Sequence, residues 1–496
     1  MKKNIFVLSL LACALSFTSC SDEDINQKSY NSVEVNDYYN TEADFTSALG
    51  GVYYGFTNSG YYSGSSSAAD LIAIGDVMGD NLIINPNGRN SGQKAHLWQY
   101  NSNTTPTDLY SSSYNIITRA NIILSKIDNL EDGDFKNNVI AQAKAVRALA
   151  HFEVARTYAE IPTQAADASS TIGIAYVDTY DPTAYPSRDA TIGETYTKII
   201  ADLEAAIPYL STSLVTTEIN KFAAEAILGK VYLYNGNYTK AIEYLQPVVD
   251  GVTPATQSQL SDLWTSKASN GVLFEIPFIN ATDPAIGTNY SQGSTDSDII
   301  IEYGVDKAFY ALYDQKTEPE RISAYFKTFN KTVDKVNIPI IAVNKYIKGT
   351  VLLGVNNGRY SRVEEAILNL AEAQYLSGDS GSALTTLNKL RDVRYSTYTG
   401  GESGSALFDA IQLERRKELA FESGDRWFTL KRLQGVSGIS SAYTSGIQRS
   451  GNGYEADGSG SPSGAQTLPA GDYRWQLPIP QTVLNLNKNM TQTPGY

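Results

Sequence analysis

A chain of 496 residues, 42% hydrophobic and 19% charged, is several times the usual domain size and can bury large cores. Its formal charge of −14 speaks against nucleic acid as a partner. With only Cys13 and Cys20, both in or beside the leader, and only His96 and His151, it has no internal disulfide in the mature chain, no cysteine-based zinc cluster and no histidine-rich metal site; no cofactor is expected.

Met1 to Ser19 carries Lys2 and Lys3 ahead of an apolar run from Ile5 to Phe17. That run is too short to span a bilayer and reads as a signal peptide, whose removal takes the charge from −14 to −16 because it holds two lysines and no acid. After a polar tether, Thr41 and Asp44 form a capping-box-like start, with Phe45, Leu49, Val52 and Phe56 at helical spacing. Serine and glycine dominate to Ser67. Ala69 to Asn103 lacks a long helical period and gathers Asp70, Asp76, Asp80, Asn81, Arg89, Trp98, Tyr100 and Asn101. Planar sugar faces stack on Trp or Tyr, and paired hydroxyls suit carboxylates, amides and guanidinium forks, so this stretch is the binding-loop candidate. Turns favour Asp and Asn for backbone reasons as well.

Ser113 to Ile127, Asn138 to Tyr158 and Ile192 to Tyr209 read as amphipathic helices, the second stopped by Pro162. His151 falls within the second, as a packed helix residue. In Phe222 to Val249, Ala241 follows Gly229 by twelve residues, the spacing of a tetratricopeptide unit; Ala371 and Ala383 repeat it. More than 100 residues separate the two units, which predicts a helical scaffold rather than a regular solenoid. Between them, Trp264 to Gly358 holds a strand-like segment at Val272 to Phe278, a core tryptophan at 264, and loops with Tyr290, Tyr303, Tyr310 and Tyr313; it reads as an irregular insertion contributing to a ligand surface. In Leu413 to Leu430, Arg415, Glu418 and Glu422 share a helical row beside an apolar stripe. The row is either a solvated face or a partly buried Arg/Glu network, with Gly424 expected to cap the helix C-terminus and Asp425 the next turn. Gly435 to Asp472, rich in Gly and Ser, is too long for a compact turn, and Pro478 and Pro480 predict an extended tail.

Four ordered features resemble the SusD/RagB family: a lipobox-like Ser19-Cys20 followed by Ser-Asp-Glu-Asp, the AEA-containing helix pair, ERRKELAFE with GDRWFTLKR, and a C-terminal LPIPQTVLNLNKNMTQTPGY. The resemblance implies a mainly α fold: a tetratricopeptide-like helical-pair scaffold with a loop-rich, partly β insertion. It divides the chain into a signal peptide (1–19), a lipidated tether (20–37), an N-terminal helical region (38–263), the insertion (264–358) and a C-terminal region (359–496). It implies a non-catalytic outer-membrane lipoprotein, acylated at Cys20 by chains such as palmitate and facing the cell exterior, that binds a nutrient, typically a glycan. The partner implied is a SusC-like TonB-dependent transporter, contacted by the tetratricopeptide-like face. Starch-binding members carry a Trp and an Asn matching Trp98 and Asn101, so the ligand-binding expectation is Trp98, Asn101, Tyr100, Asp76, Asp80, Arg89 and Tyr290. A surface glycoside hydrolase with two carboxylates and a protein-only scaffold subunit are the alternatives. No nucleophile elbow, metal-ligand motif or phosphate loop appears.

Overall fold

Residues 38–64, 70–85, 92–292, 298–333, 336–347, 349, 351–449 and 467–496 are described by the computed structural model. The leader, Cys20 and Arg89 lie outside the described residues. Helix α1 (Glu42–Tyr54) opens on the capping box read from the sequence: the Thr41 side chain accepts from the Asp44 amide and Asp44 accepts from the Thr41 amide. Next come α2 (Leu71–Met78), β1 (Leu82–Ile84), α3 (Leu109–Ser125) and the 25-residue α4 (Asp134–Tyr158), which stops ahead of Pro162. His151 is fully buried within α4, and burial lowers its imidazole to about 3, so it stays neutral. Helix α5 (Ile192–Ala206) starts on a second capping box, Thr191 with Glu194.

The two tetratricopeptide-like units are α6 (Lys221–Tyr234) with α7 (Tyr238–Gly251), and α8 (Val363–Leu376) with α9 (Ser380–Arg391). A Cβ on Gly229 would lie 2.4 Å from Leu245 Cγ, so only glycine lets α6 and α7 approach this closely. Ala241, Ala371 and Ala383 are fully buried at the matching contacts. The sequence separation of the units does not persist in space: α7 packs directly on α8, continuing the stack through α3, α4, α5 and α6.

Within the insertion, β2 (Val272–Ile276) is followed by β3 (Tyr303–Val305), β4 (Phe326–Val333) and β5 (Val336–Val343). A four-stranded antiparallel sheet has the order β1-β3-β5-β4, with Leu82 opposite Val305 and Phe326 opposite Val343. Strand β2 pairs instead with β6 (Gly358–Arg362), which leads straight into α8. Trp264 is buried, as expected. The insertion therefore contains a real sheet, and β1 from the N-terminal region completes its edge.

The charged row is a closed interior network, but the helix carrying it is shorter than the spacing suggested. Helix α10 (Ser405–Glu418) ends at Glu418, and α11 (Asp425–Arg432) begins after Gly424 in the left-handed region. Gly424 thus starts a helix rather than ending one. Between them Phe421 (φ 67) and Ser423 (φ 48) also adopt left-handed backbone, a strained conformation for residues with side chains. Glu418 accepts from Arg394 at 2.7 and 2.9 Å, and from Arg321 and Arg362 at 3.0 Å each. Glu422 meets Arg362 at 2.8 Å and Lys345 at 2.5 Å. Glu364, Glu414 and Glu318 pair with the same arginines and with Lys417, giving five carboxylates against Arg321, Lys345, Arg362, Arg394 and Lys417. Burial would raise the Glu418 carboxyl, yet Arg394 and Arg321 hold it well below the usual range. Removing one member leaves buried charge uncompensated, which is where such networks are costly.

The tail departs from expectation once. Strands β7 (Gly446–Gln448) and β8 (Thr467–Pro469) form a hairpin base, and the chain runs extended through Leu477 and Ile479 before α12 (Gln481–Leu486) starts at Pro480. Proline lacks an amide hydrogen that a helix start does not need, so Pro480 opens a helix here instead of forbidding one.

Candidate functional site

The expected N-terminal cluster is largely interior. Trp98 is 1% exposed, its indole donates to Met78 O at 3.0 Å, and the Arg449 guanidinium sits 4.0 Å from its ring centroid. Arg449 in turn donates to Gly79 O and Met78 O at 2.8 and 2.9 Å. Tyr100 is buried with its hydroxyl on Arg474 O. Neither ring presents a stacking face to solvent, which corrects the reading of both as a sugar platform.

Asp76 and Tyr290 are equally buried and have a different task. The Phe421 amide donates to Asp76 at 3.3 Å, and the Tyr290 hydroxyl reaches Ile72 O at 2.7 Å and Phe421 O at 3.3 Å. They hold the strained turn between α10 and α11 from both sides. Asp76 Oδ2 has no hydrogen-bond partner among the described residues, and burial pushes its carboxyl up to about 7. Asp80 is clamped by Arg426 at 2.7 Å through both oxygens and by Arg416 at 3.1 Å; despite burial those guanidinium groups hold it below the usual carboxylate range. A Cβ on Gly75 would lie 2.3 Å from Gly424 Cα, so α2 and the α10–α11 turn meet backbone to backbone. Asn101 alone of the described set is exposed; its Oδ1 accepts from the Asn103 amide at 2.9 Å to shape a turn.

An open cleft lies beside this cluster, built from residues that no single stretch of sequence brings together. Its volume is about 460 Å³, within the range of small-ligand sites. One wall is the end of α4 and the turn after it, with Tyr158, Glu160 and Gln164; the opposite wall is Gln434, just past α11, with Gly471 and Tyr473. Arg188 closes the floor: buried, it donates to Gly173 O at 2.7 Å, Thr491 O at 3.2 Å, and Thr493 Oγ1 and Tyr158 O at 3.3 Å each, tying tail to helix. Gln434 accepts from the Gly471 amide at 2.9 Å, while its Nε2 is sealed from solvent and has no hydrogen-bond partner among the described residues. Tyr473, 45% exposed, stands at the rim 4.9 Å from the Tyr496 ring, and Tyr496 is 6.4 Å from Tyr100. The Arg474–Asp472 pair at 2.6 Å flanks it. Glu160 is raised by burial, with Lys431 opposing.

Amides, a guanidinium, hydroxyls and one open aromatic ring can orient a polyhydroxylated ligand. Among the described residues no group of three or more His, Cys, Asp or Glu side chains is arranged to hold a metal ion. The sequence signal that reached this site was indirect: the cluster at 98–101 points to its neighbourhood, since Ser102 O accepts from the Gln481 amide at 2.8 Å and Tyr100 contacts Arg474.

Two family models together span most of the chain. One, described as starch-binding and associating with the outer membrane, matches residues 22–233; the other, the SusD family, matches residues 290–496. This chain belongs to the SusD/RagB family. A SusD-like protein P2 of Formosa agariphila is 26% identical, with all of both chains covered. A crystal structure from Bacteroides vulgatus, named as a candidate sugar-binding protein, is 26% identical, with a TM-score of 0.76, covering 92% of this chain and 99% of that one. A SusD superfamily structure from the same species, 23% identical, superposes with a TM-score of 0.77 over 92% of this chain and all of the other. The helical stack and its inserted sheet are thus the SusD-like fold, and SusD-like proteins associate with the cell surface and bind glycans.

Proposed function

We propose that this SusD-like protein binds an oligosaccharide or polysaccharide at the cell surface without cleaving it, and delivers it to a SusC-like TonB-dependent transporter. Acyl chains on Cys20 hold it on the outer membrane, facing the exterior. The observation that carries the binding site is the solvent-open cleft of about 460 Å³ rimmed by Tyr473, with the Gln434 side chain in its wall. The named candidate sugar-binding relative and the starch-binding family description support the ligand class.

Calorimetry against a broad panel of neutral glycans tests this reading. Gln434→Met keeps length and removes the amide, and is expected to weaken binding of the best glycan, while Trp98→Ala, if folded, retains wild-type affinity. The reverse pattern returns the site to the Trp98 region. Incubation of purified protein with the bound glycan is expected to release no new reducing ends; their appearance would favour the hydrolase reading. Co-purification with the transporter but no binding to any glycan would favour a protein-only subunit.

A further inference from the structure

A second cavity, of about 420 Å³, opens between α3, the connector around 176–186 and the tail after α12. Its aromatic lining is Tyr110, Tyr114 and Tyr176, joined by the Met490 thioether, and its outer edge carries Asp178 and Asp181. The three phenols are all engaged within the protein. Tyr114 donates to Ala175 O at 2.7 Å, Tyr176 to Asp202 at 2.8 Å, and Tyr110 lies on Met490 Sδ at 3.6 Å. The cavity therefore offers carbon surface and ring π-density but few free hydroxyls, a poor match to a sugar.

Charge then selects the ligand. Asp178 and Asp181 are exposed, and none of the residues lining the cavity is Lys, Arg or His. Of the positive groups nearby, Arg147 is held by Asp202 at 2.7 and 2.8 Å, Arg188 is buried on the Gly173 and Tyr158 carbonyls, and the exposed Lys198 lies 5.2 Å from the Tyr176 centroid. His151, stacked 3.9 Å beneath Tyr176, stays neutral because burial lowers it to about 3. Tyrosine rings attract organic cations through their quadrupole, thioethers adapt to irregular apolar bodies, and an acidic edge favours a positive head over a neutral one. We infer that this cavity is a separate binding site for a small amphipathic organic cation, an ammonium or guanidinium carried on an apolar or aryl body.

Phenethylammonium and its neutral counterpart 2-phenylethanol are the probes, titrated into the full mature chain by protein-observed NMR and calorimetry. The expected result is saturable binding of the cation, about tenfold tighter than the alcohol at low salt, from cation–π attraction and two carboxylates acting together. Asp178→Asn with Asp181→Asn is expected to bring the two probes within about twofold of each other. Met490→Ala, which opens the aromatic wall, should weaken both, leaving their ratio unchanged. Glycan affinity at the Gln434 cleft should not move in either variant, so a failure here is distinct from a failure there. Equal binding of cation and alcohol, retention of a tenfold preference in the double Asn variant, or no saturation would each overturn the inference.

Discussion

Trp98 with Arg449 and Tyr473 beside Arg474 pair the same kinds of groups, an aromatic ring and a guanidinium, with opposite results. At Trp98 the indole and the guanidinium spend their donors on backbone carbonyls and the ring is sealed. At Tyr473 the arginine is held by Asp472 and the ring remains nearly half exposed beside an amide with no partner. Composition alone does not separate platform from rivet; what separates them is whether the polar atoms around the ring are already satisfied.

The largest disturbance should come from the closed side. Glu418→Ala takes one carboxylate from three buried guanidinium groups and is expected to cost about 3–5 kcal/mol, read from the denaturant midpoint. If glycan affinity of the folded fraction fell in parallel, the two regions would not be independent. Trp98→Ala should cost about 3 kcal/mol through the cavity it leaves and the ring it takes from Arg449, with affinity unchanged. Tyr473→Ala inverts that pattern. It should lose about 1 kcal/mol of binding, roughly five- to tenfold, with stability shifted by no more than about 0.5 kcal/mol.

The smallest effect is a change of slope. Asp76 titrates near 7 when folded against about 3.8 when unfolded, so between those values the folded state binds the extra proton. Its contribution is complete below about pH 4 and is lost as pH rises toward and through 7. Asp76→Asn should flatten the decline in Tm between pH 5 and 8. An unchanged slope would mean that another group near the α10–α11 turn carries the titration.

What was legible in the sequence was local. Thr41 and Asp44 announce a helix start within four residues, and Gly229 with Ala241 announce a close helix pair within thirteen. The interior network around Glu418 and Glu422 was visible as charges, but its closure depends on Arg321, Lys345, Arg362 and Arg394 arriving from other elements. The burial of Trp98 depends on Arg449, from near the opposite end of the chain, and the cleft takes walls from both halves. Pro480 shows a different limit, since proline ends helices and also begins them, and only the following residues decide which.

The contact of α7 with α8 also bears on how the protein is made. Helix α7 is complete at Gly251, but the helix that covers it starts at Val363, more than 100 residues later. A chain emerging N-terminus first would carry the face of α7 that packs on α8 uncovered while the whole insertion is delivered. Late closure of that kind slows folding and lengthens exposure to aggregation. A holding chaperone that acts on α7 before α8 arrives should therefore raise the yield of native protein more than one supplied after synthesis is complete.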